Sequence, residues 1–230
     1  MELVLIRHAQ PAWRTADGTS TNDPELTSLG QVQADRVAKA LAAEDRPVDG
    51  LFSSTARRAV ATARPIEQAL GTTATAEPWA LEIGPPDAWE GQPEDDVIRV
   101  LESLKTRPLD EWWEGAPGSE SFRDFHTRIT SGLEDFLGRF GGRRHVDDPA
   151  RLWDVPDDGP RLMLVAHAGT NSVITSHLLG LDPQPWEWER FPCNHASITV
   201  LRSRPIATAD MWALEHFSDV GHLLPDLVTA

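Results

Sequence analysis

Residues 2–9 read ELVLIRHA, and residues 161–169 read RLMLVAHAG. In each, a short apolar run ends in a histidine: Leu3 to Ile6 stops at Arg7-His8, and Leu162 to Ala166 stops at His167. Runs of this length, bounded by polar residues, read as strands rather than helices. Because they are apolar at every position, both faces of each strand must be covered, which is the habit of an α/β sheet. Between them, the spacing predicts a helix from about 28 to 44 with Thr27 or Ser28 as its N-cap and Leu29, Val32, Val37 and Leu41 as its apolar stripe. DGLFSS (49–54) reads as a further short strand. It leads into a helix over 56–70 that Gly71 closes. Residues 73–76 read as a short strand, and 93–105, 120–138 and 170–179 as helices. Ser197–Leu201 and Met211–Leu214 read as two closing strands. This alternation predicts an α/β fold: a mostly parallel central sheet with helices on both faces.

In such sheets ligands bind beyond the carboxyl ends of the strands. His8, Ser53-Ser54 and His167 each lie just past a strand, so three distant stretches send polar residues to one edge. Arg7 and either Arg57 or Arg58 join them. Cations and imidazoles packed together repel unless an anion or an acid offsets them, and a phosphoryl group, with several anionic oxygens, suits such a cluster. Arginines can both position and neutralise it through a loose transition state. An unprotonated imidazole can also attack phosphorus covalently.

Length and composition bound the remaining choices. The chain of 230 residues is long enough for one substantial core, and we read it as a single domain over 1–230 with loop or helical cap insertions near 77–117 and 139–160. With 21 basic against 36 acidic residues the net charge is −15, which excludes nucleic acid and anionic membranes as expected partners. Residue 2 is acidic and the first apolar run is too short for a leader, so no secretory signal is expected. No apolar run reaches the roughly 20 residues of a membrane span. A single cysteine, Cys193, forms no internal disulfide, and the expected location is cytoplasmic. The sequence does not fix an oligomeric state; a homodimer is the assembly kept open.

LIRHA (5–9) resembles the RHG-type signature of the histidine phosphatase (phosphoglycerate mutase-like) superfamily, with Ala9 in place of the usual glycine. PELTSLGQVQA (24–34), SSTARRAVATA (53–63), LEIGPPDAWEG (81–91), GSES (118–121), LMLVAHAG (162–169), NHASITVL (194–201) and SDVGHL (218–223) resemble further family elements in the family's order. The resemblance implies a phosphoglycerate mutase-like fold and a histidine acid phosphatase-type phosphomonoesterase that acts on a small phosphorylated substrate. It implies His8 as the nucleophile and Arg7, Arg58 and His167 as holders of the phosphoryl oxygens. It selects Arg58 over Arg57, and it implies Glu82 as the proton donor, with Glu90 and Asp87 as alternative acids. No metal or other cofactor is implied.

Besides Ala9, the sequence departs from the family at three places. Gln10 stands where many relatives have an acid, and the stretch from Glu82 to Trp89 is one residue longer than usual. The long segment that follows the first histidine in phosphoglycerate mutases is replaced by PAWRTADGTSTNDPELT, which favours a phosphatase over a mutase. A mutase-type phosphotransferase, a non-catalytic phosphate-binding scaffold and a metal hydrolase built on the same histidines are the rival readings. Ser53 and Ser54 are read mainly as helix caps, and His222 as structural. His126, His145, His177 and His216 are read as surface or packing residues. Trp79, Trp89, Trp112 and Trp113 fall in the covering segment, where one or two could line an apolar leaving-group pocket.

Overall fold

The computed structural model describes residues 1–145 and 150–230. The elements run in the order β1 (Glu2–Arg7), α1 (Ser28–Ala43), β2 (Gly50–Ser53), α2 (Arg57–Leu70), β3 (Thr75–Ala76), α3 (Glu94–Leu104) and α4 (Phe122–Gly138). They continue with β4 (Arg143–Arg144), β5 (Trp153–Asp154), β6 (Arg161–Ala166), α5 (Ala168–Leu178), α6 (Glu187–Arg190), β7 (Ile198–Ile206) and β8 (Ala209–Asp219). Short 3-10 turns over 78–80, 87–89 and 109–114 complete the segment around α3. No helix among the described residues is long and apolar enough to cross a membrane.

The strands form one sheet in the order β3-β2-β6-β1-β7-β8-β5-β4. β3, β2, β6 and β1 run parallel, whereas β1–β7, β7–β8, β8–β5 and β5–β4 are antiparallel pairs. The sheet is therefore mixed, and the expectation of a mostly parallel sheet is corrected. The cause is local: β7 and β8 are joined across a tight turn at residues 207–208, and a hairpin can only place its strands antiparallel. These two strands also run well past the apolar stretches that mark them in the sequence. Their outer halves carry exposed or half-exposed residues such as Arg204, Pro205 and Ile206, so the alternation is lost there. Residues 139–160, read as an inserted loop, instead supply the two outermost strands, with Trp153 buried at the join; 146–149 of that stretch lie outside the described residues.

The apolar strands have the two covered faces that their sequence demands. Leu3 and Leu5 of β1, with Leu162 and Leu164 of β6, meet Phe125, Ile129, Leu133 and Phe136 of α4 and Ile174 of α5. The alternate residues Val4, Ile6, Met163 and Val165 face Val37 and Leu41 of α1 and Ala59, Ala63 and Ile66 of α2. Period-two alternation thus divides each strand between two helical layers. α1 begins where Thr27 Oγ1 accepts from Gly30 N at 2.9 Å, a cap that stabilises a helix by about 1 kcal/mol. The stripe of α1 differs from the expected one. Val32 is exposed, while Gly30, Gln33, Ala34, Val37, Ala38 and Leu41 are buried. Gln33 is buried because its amide is fully used: Oε1 accepts from Gln10 N at 2.8 Å, and Nε2 donates to Leu227 O and Thr229 Oγ1. A Cβ at Gly30 would overlap the Gln10 backbone, so α1 sits directly under the chain that leaves His8.

Candidate active site

β1, β2 and β6 pair in parallel, with Arg7 opposite Ala166 and Ser53 opposite Val165, so their carboxyl ends reach one edge together. That register brings His8, Ser54 and His167 side by side. The His8 and His167 rings lie edge to face with centroids 5.1 Å apart. Both rings are buried, His167 completely. His8 Nδ1 is 2.8 Å from Ala9 O. A carbonyl can only accept, so Nδ1 carries the proton and Nε2 of the neutral ring keeps its lone pair. Burial, followed by the charges of His167, Arg58 and Arg7, holds the His8 pKa well below 6.5. Burial and the same two arginines do this for His167. His167 Nε2 bonds Ser54 Oγ at 2.8 Å. Ser54 thereby serves mainly as a partner of the histidine; Ala56, not a serine, occupies the N-cap of α2, without a side-chain cap bond.

Arg7 is fixed by Cys193 O, to which it donates, and by His195 Nε2 at 3.0 Å. Arg58, buried in the first turn of α2, faces Asp23 at 3.7 Å and lies under the Trp13 ring, 4.8 Å from its centroid. Arg57 points outward and pairs with Glu25, as a solvated neighbour would. Three buried nitrogens in this cluster have no hydrogen-bond partner among the described residues: Arg7 Nε, Arg58 Nε and His167 Nδ1. Unsatisfied buried polar atoms are expensive, and here they lie on Arg7 at the end of β1, on Arg58 in the first turn of α2 and on His167 at the N-cap of α5. Helix N-termini add partial positive charge and free N–H groups. The arrangement has the charge and the free polar atoms that an anion would satisfy.

Glu82 sits against this cluster. Its Oε2 accepts from Gly169 N at 2.9 Å and its Oε1 from Ile83 N at 3.0 Å. Burial raises its pKa above 4.5, against the opposing pull of those two N–H groups and of Arg58 and Arg7. The alternative acids lie elsewhere: Glu90 accepts from Asn22 N at 2.6 Å and ties down the 20–22 loop, and Asp87 is exposed. Gly169 is what allows Glu82 its position. A Cβ there would strike Glu82 Oε1 and come within 2.9 Å of the Trp188 ring. On the expectation that Glu82 is the proton donor, Gly169→Ala should lower kcat by about a hundredfold, the usual scale for displacing a reacting group by an ångström. Its melting temperature should stay within a few degrees of wild type, since alanine favours a helix over glycine. Steady-state kinetics and a thermal melt check both halves.

The sequence reading passed over one residue here. His195 is 5.7 Å from His8, ring to ring, and accepts from Arg7 while its Nδ1 donates to Thr229 Oγ1 at 2.9 Å. Burial and then Arg7 lower its pKa to about 3. Its signal in the sequence is the motif NHAS, which reads only as part of a closing strand. β7 runs antiparallel to β1, so its beginning, not its end, lies at the active edge. Gln10, the departure from an acid, uses its side-chain oxygen to accept from Thr27 Oγ1 at 2.7 Å. His222 donates to Ala196 O at 3.0 Å, a backbone tie as expected.

A model of the histidine phosphatase superfamily, branch 1, matches residues 3–217. The chain belongs to that superfamily. A protein of Hydrogenobacter thermophilus named as a candidate phosphoserine phosphatase is 28% identical over 188 residues, covering 78% of this chain and 79% of its own. The structure of a mycobacterial glucosyl-3-phosphoglycerate phosphatase superposes with a TM-score of 0.68 at 24% identity, over 94% of this chain and 98% of that one. A phosphoserine phosphatase variant of Entamoeba histolytica, solved with phosphoserine, gives 0.66 at 21% identity, over 97% and 99%. These two likenesses establish the fold. This histidine phosphatase thus keeps the superfamily's ordered motifs with an alanine after the first histidine.

Proposed function

We propose that the chain is a phosphomonoester hydrolase working through phospho-His8 without a metal ion. The observation that carries the reading is the set of unpartnered nitrogens on Arg7, Arg58 and His167 around a neutral His8 whose Nε2 lone pair is available. Arg7, Arg58 and His167 Nδ1–H hold the phosphoryl oxygens. His8 Nε2 attacks phosphorus in line; the P–N bond forms as the P–O bond to the alcohol breaks. Glu82, whose pKa burial raises, gives its proton to the departing oxygen. Water then attacks phosphorus and loses a proton to Glu82. The P–N bond breaks, its electron pair returns to Nε2, and inorganic phosphate leaves. His195 is a positioning residue: with Cys193 O it fixes the plane of Arg7. We place the enzyme in the cytoplasm, which a single cysteine without a disulfide partner in the chain fits.

Phosphate release from a panel of phosphomonoesters in the presence of a chelator tests the reading. Turnover that the chelator leaves unchanged is expected; turnover abolished by it supports the metal hydrolase instead. Return of phosphate to a second hydroxyl of the product, outpacing release, supports a mutase. Inorganic phosphate should also protect the fold. At 100 times its Kd it adds about 2.7 kcal/mol, a rise in Tm of roughly 5–10 °C for a chain of this size. Arg58→Ala should remove most of that rise. Protection without turnover on any substrate is the signature of the scaffold reading.

A further inference from the structure

We propose that the alcohol this enzyme releases is bulky and apolar, an aromatic or branched aliphatic group, and not a small hydroxy acid. The inference rests on the hydrolase reading above and concerns what lies beyond the phosphoryl group. A cavity of about 390 Å³ opens onto Arg58 and Glu82. Those are the phosphoryl holder and the proton donor, so what fills the cavity is attached to the leaving oxygen. The volume is at the scale that takes a small organic ligand, enough for a group of one or two rings.

Beyond Arg58 and Glu82 the walls are mainly apolar: Trp13 from the first loop, between β1 and α1, Ile83 and Trp89 from the acid loop, residues 81–91, and Val97, Ile98 and Leu101 from α3. The last three follow the i, i+1, i+4 spacing of one helical face. The other side of α3 carries Asp95, Asp96 and Glu102. Trp13, Ile98 and Leu101 are 42%, 43% and 40% exposed. Large apolar side chains gathered in the open around a reacting centre mark a binding surface. A second, almost wholly apolar cavity of about 150 Å³ adjoins the first and shares Ile83, Pro85, Trp89 and Leu101 with it, so these side chains present apolar surface to both.

The polar groups in the cavity argue against a carboxylate in the leaving group. Apart from Arg58, which the phosphoryl group occupies, the ionisable residues of the wall are Glu82 and Glu94. Glu94 is paired with Arg14 at 3.3 Å, leaving that cation shared with a protein carboxylate. Thr21 Oγ1 donates to Glu90, and Asn22 Nδ2 donates to Pro86 O at 3.2 Å, so two of the three polar side chains that residues 20–22 give the wall are engaged, and Ser20 is the third. A substrate carboxylate would meet acid and hydrocarbon; a ring would meet two indoles and an aliphatic helix face.

The test compares 1-naphthylmethyl phosphate with O-phosphoserine, both esters of primary alcohols, so that leaving-group basicity does not decide the result. We expect kcat/KM for the naphthylmethyl ester to exceed that for phosphoserine by about a hundredfold. We also expect Ile98→Asp, at an exposed position, to lower the ratio at least about tenfold. Phosphoserine turned over as well as or better than the naphthylmethyl ester overturns the inference and leaves the hydrolase reading intact. So does a ratio that Ile98→Asp does not move. Binding separates the two readings if neither ester is turned over. Calorimetry with 2-(1-naphthyl)ethylphosphonate and with 2-amino-4-phosphonobutanoate, the non-hydrolysable counterparts, should show the aromatic phosphonate binding at least tenfold more tightly; equal or reversed affinities overturn the inference.

Discussion

His8→Ala should lose at least about 10⁴-fold in kcat while still binding phosphate. On the proposed mechanism the substitution removes the atom that makes the P–N bond. It leaves Arg7, Arg58 and His167, whose partners Cys193, His195, Asp23 and Ser54 do not involve the His8 ring. The fold should tolerate it, because His8 contributes one hydrogen bond, to Ala9 O. It is also a neutral ring held among cations, and nothing in its surroundings favours its charged form apart from that one carbonyl. Phosphate should therefore raise the Tm of His8→Ala as it raises that of wild type. A variant that loses turnover and phosphate protection together would place His8 in the anion site rather than at the attacking position. Turnover equal to wild type would remove His8 from the chemistry.

Glu82→Gln should divide the reaction into two measurable parts. With an alkyl phosphate, whose oxygen needs a proton to leave, kcat should fall by about 10²- to 10⁴-fold. With 4-nitrophenyl phosphate, whose leaving group departs as the anion, the first turnover should remain fast. The second step still needs a base to take the proton of water, so a burst of nitrophenolate followed by slow release of phosphate is expected. The pH profile gives the same assignment. His8 must be neutral to attack; burial, His167, Arg58 and Arg7 lower its pKa, so the acid limb of kcat/KM lies well below 6.5. Glu82 must be protonated to donate; burial raises its pKa, so activity falls only as pH passes a value above 4.5. Wild type should show a bell between these limits, and Glu82→Gln should keep the acid limb and lose the alkaline one. Rapid-quench measurement of alcohol and phosphate across pH reads both effects. An alkaline limb retained in the variant would assign the proton transfer to another group.

The parts of this enzyme that could be read from sequence are those in which one chemical signal has one structural outcome. An apolar run covered on both sides and ended by a polar residue gives a strand and fixes where its histidine lies, and so His8, Ser54 and His167 were recoverable. Arg58 over Arg57 was not a matter of periodicity, since both begin α2; the family pattern decided it, and the structure buries Arg58 against Trp13 while Arg57 meets Glu25 in solvent. His195 was lost through the wrong strand direction. Only an antiparallel β7 puts its first residues beside His8, and the half-exposed ends of β7 and β8 gave no alternation from which to infer a hairpin. The burial of Gln33 could not be seen either, because it depends on Gln10 and on Leu227 and Thr229, 194 and 196 residues further along the chain. The leaving-group cavity joins the first loop, the acid loop and α3, which have no shared pattern. They meet through backbone bonds such as Ser20 N to Gln92 O at 2.8 Å and Gly91 N to Ser20 O at 2.9 Å.

The covalent intermediate decides the mechanism. Wild-type enzyme mixed with excess substrate and quenched in alkali within the first turnover should carry one phosphoryl group. The label should be acid-labile and alkali-stable, as a phosphoramidate is, and should map to the peptide that contains His8. It should be absent from His8→Ala. Release of phosphate at the wild-type rate with no phosphoryl label on the protein, or a label on a residue other than His8, would contradict the double displacement on which the account depends.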